Sequence, residues 1–279
     1  MTAQPLDIAE ALARARRLGI ARLDAQLLLG AVLGRERAWL LAHDDDALED
    51  AARERFEGLC ARRAAGEPLA YLLGRKEFHG LVLDVDRHVL VPRPETEGLV
   101  DWALEVLADG PAQPSVADLG TGSGAIALAI ARARADARVS AVDSSTDALA
   151  CAIGNGRRLG IAIEWLDGDW WQALAGRRFD LVVSNPPYVA ADDRHLQTLA
   201  HEPRHALTPG GDGLAALRTI ASDAPSHLCA GGWLLLEHGH DQGPAVRAML
   251  HDCGLADVAT RPDLAGLPRC TGGRLVSRP

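Results

Sequence analysis

The sequence predicts an α/β protein built on a doubly wound, mostly parallel sheet, with a small all-helical domain ahead of it. Three observations predict this. From residue 115 onward, short apolar and β-branched runs alternate with segments of helical periodicity. Residues 1–74 instead place their apolar side chains at three- and four-residue spacing. A glycine-rich turn, Gly120 to Gly124, separates the first strand candidate from the first helix of the alternating region, where nucleotide folds turn.

The helical region contains "DIAEALARARRLG", "LDAQLLLGAVLG", "RAWLLAH" and "LEDAARERFEGLCARRAAG". Stop and start residues divide them: Gly19, Gly34, Asp44 to Asp46, and Gly66-Glu67-Pro68. Residues 75–91 follow, where the alternation in "LVLDVDRHVLV" predicts a strand and Gly74 and Gly80 bracket a shorter extended piece. The expectation is a β-hairpin linking the helical domain to a second domain over 92–279. That domain opens with the helix "ETEGLVDWALEVLAD". Its predicted strands are "SVADLG", "ARVSAVD", "IAIEWLDGD", "FDLVVSN", "GGWLLLEHG" and two weaker ones near Asp257–Thr260 and Arg274–Val276. The helices between them are "GAIALAIARAR", "STDALACAIGNGRRLG", "GLAALRTIASDAP" and "GPAVRAMLHDCG". Repeated strand–helix–strand units imply parallel pairing.

Composition excludes several classes. The 279 residues contain no apolar run long enough to span a bilayer, and the N-terminal stretch is amphipathic, without a secretory core. The five cysteines are scattered and never spaced as CxxC, which argues against disulfide and zinc frameworks and fits a reducing cytoplasm. A formal charge of −9 argues against a long nucleic-acid footprint.

In "VADLGTGSGAIALAIA", Gly120, Gly122 and Gly124 let the backbone turn and approach a ligand, with Thr121 and Ser123 between them. Asp118, at the strand end, is a candidate receiver for an amine. Asp143 ends the next strand about twenty residues on, where a carboxylate takes a ribose diol. The glycine spacing also satisfies the permissive NAD pattern. Asp118 ahead of the glycines, and no visible hydride-acceptor site, favour S-adenosylmethionine over NAD.

The segment "FDLVVSNPPYVAADD" supplies the second half of the argument. A core strand ends on Asn185, Pro186, Pro187 and Tyr188, a rigid stretch rich in acceptors and poor in donors. An amide –NH₂ offers two hydrogens. The Asn185 side-chain carbonyl and the Pro186 backbone carbonyl would pin its plane about 3 Å away and aim the nitrogen lone pair at a methyl donor. Tyr188 would pack on the flat acceptor group.

Together "DLGTGSG" and "NPPY" resemble the class I S-adenosylmethionine-dependent amino-methyltransferases. The stretches "EPLAYLLGRKEFHG", "LVPRPETE", "GDWW", "EPRHALTPGGDGL" and "LLLEHGHDQG" narrow this to a resemblance, over essentially the whole chain, to the PrmC/HemK family. These are the protein-(glutamine-N5) methyltransferases of peptide chain release factors. The resemblance implies S-adenosyl-L-methionine as methyl donor and S-adenosyl-L-homocysteine as product. It implies the glutamine of the Gly-Gly-Gln motif in bacterial release factors 1 and 2 as acceptor. It further implies that Gly120 to Gly124 contact the methionine part of the cofactor, Asp143 its ribose and Trp170 its adenine. Asn185, Pro186, Pro187 and Tyr188 hold the amide, and the helical domain grips the release factor. No metal, no membrane, no stable nucleic-acid partner and a monomeric chain complete the expectation. Two small departures, Trp171 in "GDWW" and His240 in "LLLEHGHDQG", fall away from this chemistry.

Two rivals remain at this stage: a DNA or RNA amino-methyltransferase using the same loop, and a non-catalytic binding protein that kept the fold. "HEPRH" matches the HExxH zinc pattern, but Pro203 breaks the helix that pattern needs. Arg93 or Glu97 in "PRPETE" is a candidate for the methionine end, or the segment is only a structural corner. His238 is expected to cap a sheet edge.

Overall fold

The computed structural model describes residues 6–276. The chain divides into two compact units, Met1–Arg75 and Lys76–Pro279. The first five residues of the predicted N-terminal amphipathic segment lie outside the described residues.

The first unit holds five helices: α1 (Ile8–Arg17), α2 (Arg22–Leu33), α3 (Arg37–Ala42), α4 (Asp50–Ala64) and α5 (Leu69–Leu73). Helix α1 starts where it does because Asp7 caps it, accepting the Glu10 N–H at 2.7 Å. Ile8, Leu28, Leu29, Leu40 and Phe56 form its core. Pro68 precedes α5, where a missing N–H is tolerated.

The second unit opens with a hairpin, β1 (Arg75–Phe78) and β2 (Leu81–Asp84). The strand expected across 81–91 therefore ends early. Asp86 turns the chain, its carboxylate accepting the His88 N–H at 2.8 Å and its carbonyl the Val89 N–H at 3.2 Å. Val85, Val89 and Val91 stay buried, so the alternation marked burial and not strand pairing. The hairpin, expected as a linker, is fastened to the second unit. Asp84 donates its N–H to Asn155 Oδ1 at 2.7 Å, and Arg158 pairs with the Asp84 carboxylate at 2.8 Å.

Then follow α6 (Glu97–Ala108), β3 (Ser115–Leu119), α7 (Ala125–Ala133), β4 (Arg138–Asp143), α8 (Thr146–Leu159), β5 (Glu164–Asp167) and β6 (Phe179–Ser184). Two short helices come next, α9 (His195–Thr198) and α10 (Arg204–Leu207), and then α11 (Ala215–His227), β7 (Leu228–Glu237), α12 (Gly243–Asp252), β8 (Ala256–Pro262) and β9 (Pro268–Arg274). The seven-stranded sheet has the order β5-β4-β3-β6-β7-β9-β8, parallel except for β9. Its central strands read as continuous apolar runs, with Leu181, Val182, Val183, Leu234, Leu235 and Leu236 fully buried, because helices cover both faces.

The last strand sits at 268–274 and not at the expected 274–276. Gly272 and Gly273 hid it, since glycine is depleted in strands. The packing requires glycine there: a Cβ at Gly272 would stand 2.4 Å from Leu235 and 2.9 Å from Trp102. No helix among the described residues is long and apolar enough to cross a membrane.

The strand order reverses between β3 and β6. The chain leaves β3 toward β4 and β5 on one side, then returns to lay β6 on the other. Leu119 and Ser184, the last residues of the two strands, are register partners, so the loops after them emerge side by side. Such a reversal opens a crevice at the carboxyl ends of the strands.

Candidate active site

That crevice is a cavity of about 160 Å³. The loop after β3 forms its floor through Gly120, Thr121, Gly122 and Ser123. Asp143 and Ser144 enter from the end of β4, Asp169 and Trp170 from the loop after β5, and Asn185 and Pro187 from the loop after β6. Thr96, Arg93 and His205 close the opposite side.

The glycine loop is pinned from beneath. Asp118 is fully buried, and its Oδ2 accepts the Thr121 hydroxyl at 2.7 Å and the Ala127 N–H at 3.2 Å. It therefore stands behind the loop and does not line the cavity, which corrects its expected direct contact with an amine. Its Oδ1 has no hydrogen-bond partner among the described residues. Burial, with a smaller push from Asp143, raises its pKa to about 7, against the Thr121 and Ala127 hydrogen bonds that lower it. Gly124 also lies outside the lining: it packs in the core, where a Cβ would stand 3.1 Å from Leu128 and Trp165.

Asp143 is half-buried at the tip of β4. Its Oδ2 accepts the Gly122 N–H at 2.8 Å and its Oδ1 the Ser145 N–H at 2.9 Å. A carboxylate has about four acceptor positions, so two stay available toward the cavity. The paired tryptophans of "GDWW" part company. Trp170 adopts φ 48°, rare for a bulky residue, and its ring lies 3.3 Å from where a Cβ on Gly120 would stand. Trp171 is buried, donates to the Ile220 carbonyl at 3.2 Å and stacks on His227.

Asn185 is oriented by Thr96. The amide Nδ2 donates to the Thr96 hydroxyl at 3.1 Å, which leaves Oδ1 as the free end of the group. Ser184 braces the strand end beneath it, donating its hydroxyl to the Leu119 carbonyl at 2.6 Å. Pro186 is buried and Pro187 lines the cavity. Tyr188 does not line it. Its ring packs against the core and its hydroxyl donates to Glu237 Oε1 at 3.2 Å, so the expected stacking on an acceptor gives way to an anchoring contact.

Two further residues hold this loop, and sequence reasoning did not single them out. Gln242 donates to the Tyr188 carbonyl at 2.9 Å while accepting the Gly239 N–H at 2.8 Å. Gly213, at φ 78°, passes so close that a Cβ would sit 2.3 Å from that same carbonyl. Gly213→Ala is expected to cost about 2 kcal/mol through left-handed strain and this clash, lowering Tm by roughly 4–8 °C. A melting curve matching the wild type would contradict the tight approach.

"HEPRH" resolves into unrelated roles. Pro203 caps α10, His205 reaches the cavity edge, and Glu202 turns inward to pair with Arg93 and accept the Val91 N–H at 3.1 Å. Glu97 accepts the His79 N–H at 3.0 Å and so secures the hairpin. His238, expected at a sheet edge, is buried between β7 and β9, its ring bonded to Thr271 at 2.7 Å. The signals that could have found Thr96, Glu237, Gln242 and Gly213 were all present in "PRPETE", "LLLEHGHDQG" and "PGGDGL"; their partners were not.

The lining fits an S-adenosyl-L-methionine-like group. On the side of Gly122 where a Cβ would project there is no atom within 4 Å, so the loop offers open backbone to a ligand. Asp143 and Asp169 in the lining give the cavity the carboxylates a cationic ligand needs.

Comparison with known proteins agrees with this geometry. A family described as the PrmC N-terminal domain matches residues 6–74, and one described as the methyltransferase small domain matches residues 99–221. The release factor glutamine methyltransferase of Bordetella pertussis is 53% identical over 260 residues, covering 92% of this chain and 96% of that one. The Burkholderia pseudomallei protein of the same name is 50% identical over 262 residues, covering 91% of this chain and 92% of that one. Among solved structures, the 16S rRNA N2 G1207 methyltransferase of T. thermophilus, in complex with AdoMet and guanosine, shares the fold with TM-score 0.55 at 19% identity, covering 72% of this chain and 49% of that one. Half or more of the aligned residues are identical to those of these two named relatives over at least nine-tenths of either chain, and the chain belongs to the release factor glutamine methyltransferase family.

Proposed function

We propose that the protein transfers a methyl group from S-adenosyl-L-methionine to the side-chain amide nitrogen (N5) of the glutamine in the Gly-Gly-Gln motif of peptide chain release factors, and thereby modulates translation termination. The observation that carries this reading is that the open glycine backbone and the Asn185 carbonyl face one cavity from the ends of adjacent strands. When bound, the cofactor supplies an electrophilic methyl group and leaves as S-adenosyl-L-homocysteine. Gly120 to Ser123 receive its methionine part, Asp143 its ribose hydroxyls and Trp170 the face of its adenine.

Asn185 Oδ1 and the Pro186 carbonyl accept the two amide hydrogens of the glutamine, fixing the plane of its nitrogen. Positioning of this kind lowers a barrier by roughly 7–11 kcal/mol at best, and no strong base is required beforehand. The proton leaves to solvent as the new N–C bond forms. A hydroxyl in place of the amide would leave one buried carbonyl unpaired, at about 1–3 kcal/mol. The helical unit would hold the release factor away from the chemistry. Release factors 1 and 2 are the partners in this reading. The chain acts as a monomer in the cytoplasm, without a stable nucleic-acid or membrane partner, in keeping with its charge of −9.

The direct test offers labelled S-adenosyl-L-methionine with purified release factor, DNA and ribosomal RNA side by side. Label is expected on release factor alone, at the Gly-Gly-Gln glutamine. Label on nucleic acid, or on another residue, would overturn the assignment.

A further inference from the structure

We propose that Asn155 is a positioning residue for the cofactor cavity: its carboxamide ties the glycine loop to the β-hairpin, so that cofactor binding and hairpin order reinforce each other. The proposal rests on the reading of the cavity as an S-adenosyl-L-methionine site and adds a residue from outside its lining.

Asn155 lies on α8 and is fully buried. A carboxamide has four hydrogen-bonding positions, two donors on nitrogen and two acceptors on oxygen. Here all four are taken. Oδ1 accepts the Asp84 N–H at 2.7 Å and the Arg158 guanidinium at 3.0 Å. Nδ2 donates to the Asp84 carbonyl at 2.9 Å and to the Ser123 carbonyl at 3.0 Å. Turned over, the group would set an acceptor against two carbonyls, so its partners fix its orientation. The pair of bonds to the Asp84 backbone is enough to fasten the hairpin. The bond to Ser123 serves something else.

Ser123 lines the cavity and Asp84 does not. The peptide between Ser123 and Gly124 is held at both ends: its carbonyl by Asn155, and its N–H by the Thr121 carbonyl at 2.9 Å. A loop that offers backbone to a ligand must keep its peptide planes from turning, and Gly122 and Gly124, both at positive φ, give it no stiffness of their own. On the other side, Asp84 ends β2. After the turn at Asp86 the chain supplies His88, Val89 and Leu90 to the cavity wall. One side chain therefore sets the spacing between the loop and that wall. Arg158 strengthens the hairpin side only, through the Asp84 carboxylate at 2.8 Å and the Val82 carbonyl.

A ligand that orders the glycine loop fixes the Ser123 carbonyl and, through Asn155, the Asp84 backbone. Linkage is reciprocal, so an ordered hairpin favours the ligand by the same factor.

The test uses the full chain and S-adenosyl-L-homocysteine, read by calorimetry and by amide hydrogen exchange. In the wild type the ligand is expected to slow exchange across residues 81–84 about fivefold, although none of them lines the cavity. Asn155→Asp keeps the shape but turns an acceptor toward both carbonyls. It should raise the Kd about twentyfold and abolish the protection of 81–84 at saturating ligand. Arg158→Ala should raise the Kd about threefold alone and leave it unchanged in the Asn155→Asp background, where the connection is already broken. An Asn155 that only stabilised the fold would lower Tm and move neither the Kd nor the ligand-dependent exchange. A wild-type Kd in folded Asn155→Asp, exchange across 81–84 indifferent to ligand in the wild type, or losses that multiply in the double variant would overturn the proposal. Should Asn155→Asp fail to fold, the wild-type exchange decides by itself. Wild-type protein that binds no S-adenosyl-L-homocysteine sinks the cofactor reading and this proposal together; normal binding that the variants leave unmoved sinks this proposal alone.

Discussion

Asn185→Ala is expected to cut turnover on release factor at least a hundredfold, about 2.7 kcal/mol of transition-state stabilisation. The reasoning is geometric. In the proposed reading Asn185 Oδ1 is one of two acceptors that pin the glutamine nitrogen, and its removal would leave the Pro186 carbonyl holding one hydrogen while the plane swings. The loop itself should survive, because its other anchors lie elsewhere: Gln242 on the Tyr188 carbonyl and Tyr188 on Glu237. The affinity for S-adenosyl-L-homocysteine should therefore change by less than about threefold, and the loss should fall on kcat. Asn185→Asp is a sharper variant. It keeps an oxygen toward the cavity but removes the donor to Thr96, so it should recover only part of the rate. Single-turnover measurements at saturating cofactor check both, and an Asn185→Ala enzyme with normal turnover would remove this residue from the reaction.

Asp143→Ala should act on the other half of the site, raising the Kd for S-adenosyl-L-methionine about a hundredfold. A carboxylate accepting two ribose hydroxyls contributes charge-assisted hydrogen bonds of about 1.5–3 kcal/mol each, and part of that sum is offset by dehydration of the group. The same carboxylate accepts the Gly122 and Ser145 N–H groups at 2.8 and 2.9 Å, so its loss also slackens the glycine loop. Asp143→Asn separates the effects. It retains an acceptor for one ribose hydroxyl and much of the loop's shape, and should lose affinity by roughly tenfold. Calorimetry reads both constants directly, and an unchanged Kd in Asp143→Ala would rule out the ribose contact.

Much of this architecture was readable before any coordinates. The central strands were visible because both faces of a parallel sheet are covered, so each reads as an unbroken apolar run. The glycine loop and Asn185 were visible because turns that approach a ligand closely tolerate few residue types. The errors share a cause. The alternation through 85–91 reported burial correctly, but an Asx turn at Asp86 consumed the backbone donors that a strand would have paired. β9 was misplaced because a sheet crowded by Leu235 and Trp102 tolerates only glycine at 272, and propensity reads glycine as a break. Asp118 and Tyr188 were expected to face the ligand, yet each found a buried hydrogen-bond partner within the fold, Thr121 for one and Glu237 for the other.

The order of residues along the chain, by itself, determined which elements form and which loops carry the chemistry, because periodicity, turn residues and acceptor-rich tetrapeptides are local properties. Only the tertiary structure decided which groups stand at the cavity and which stand behind it. Thr96, Gly213, Glu237 and Gln242 reach the Asn185–Tyr188 loop from separations of 25 to 89 residues, and no local pattern encodes such distances. A hydrogen bond is a relation between two partners, and the sequence names each partner without saying that they meet.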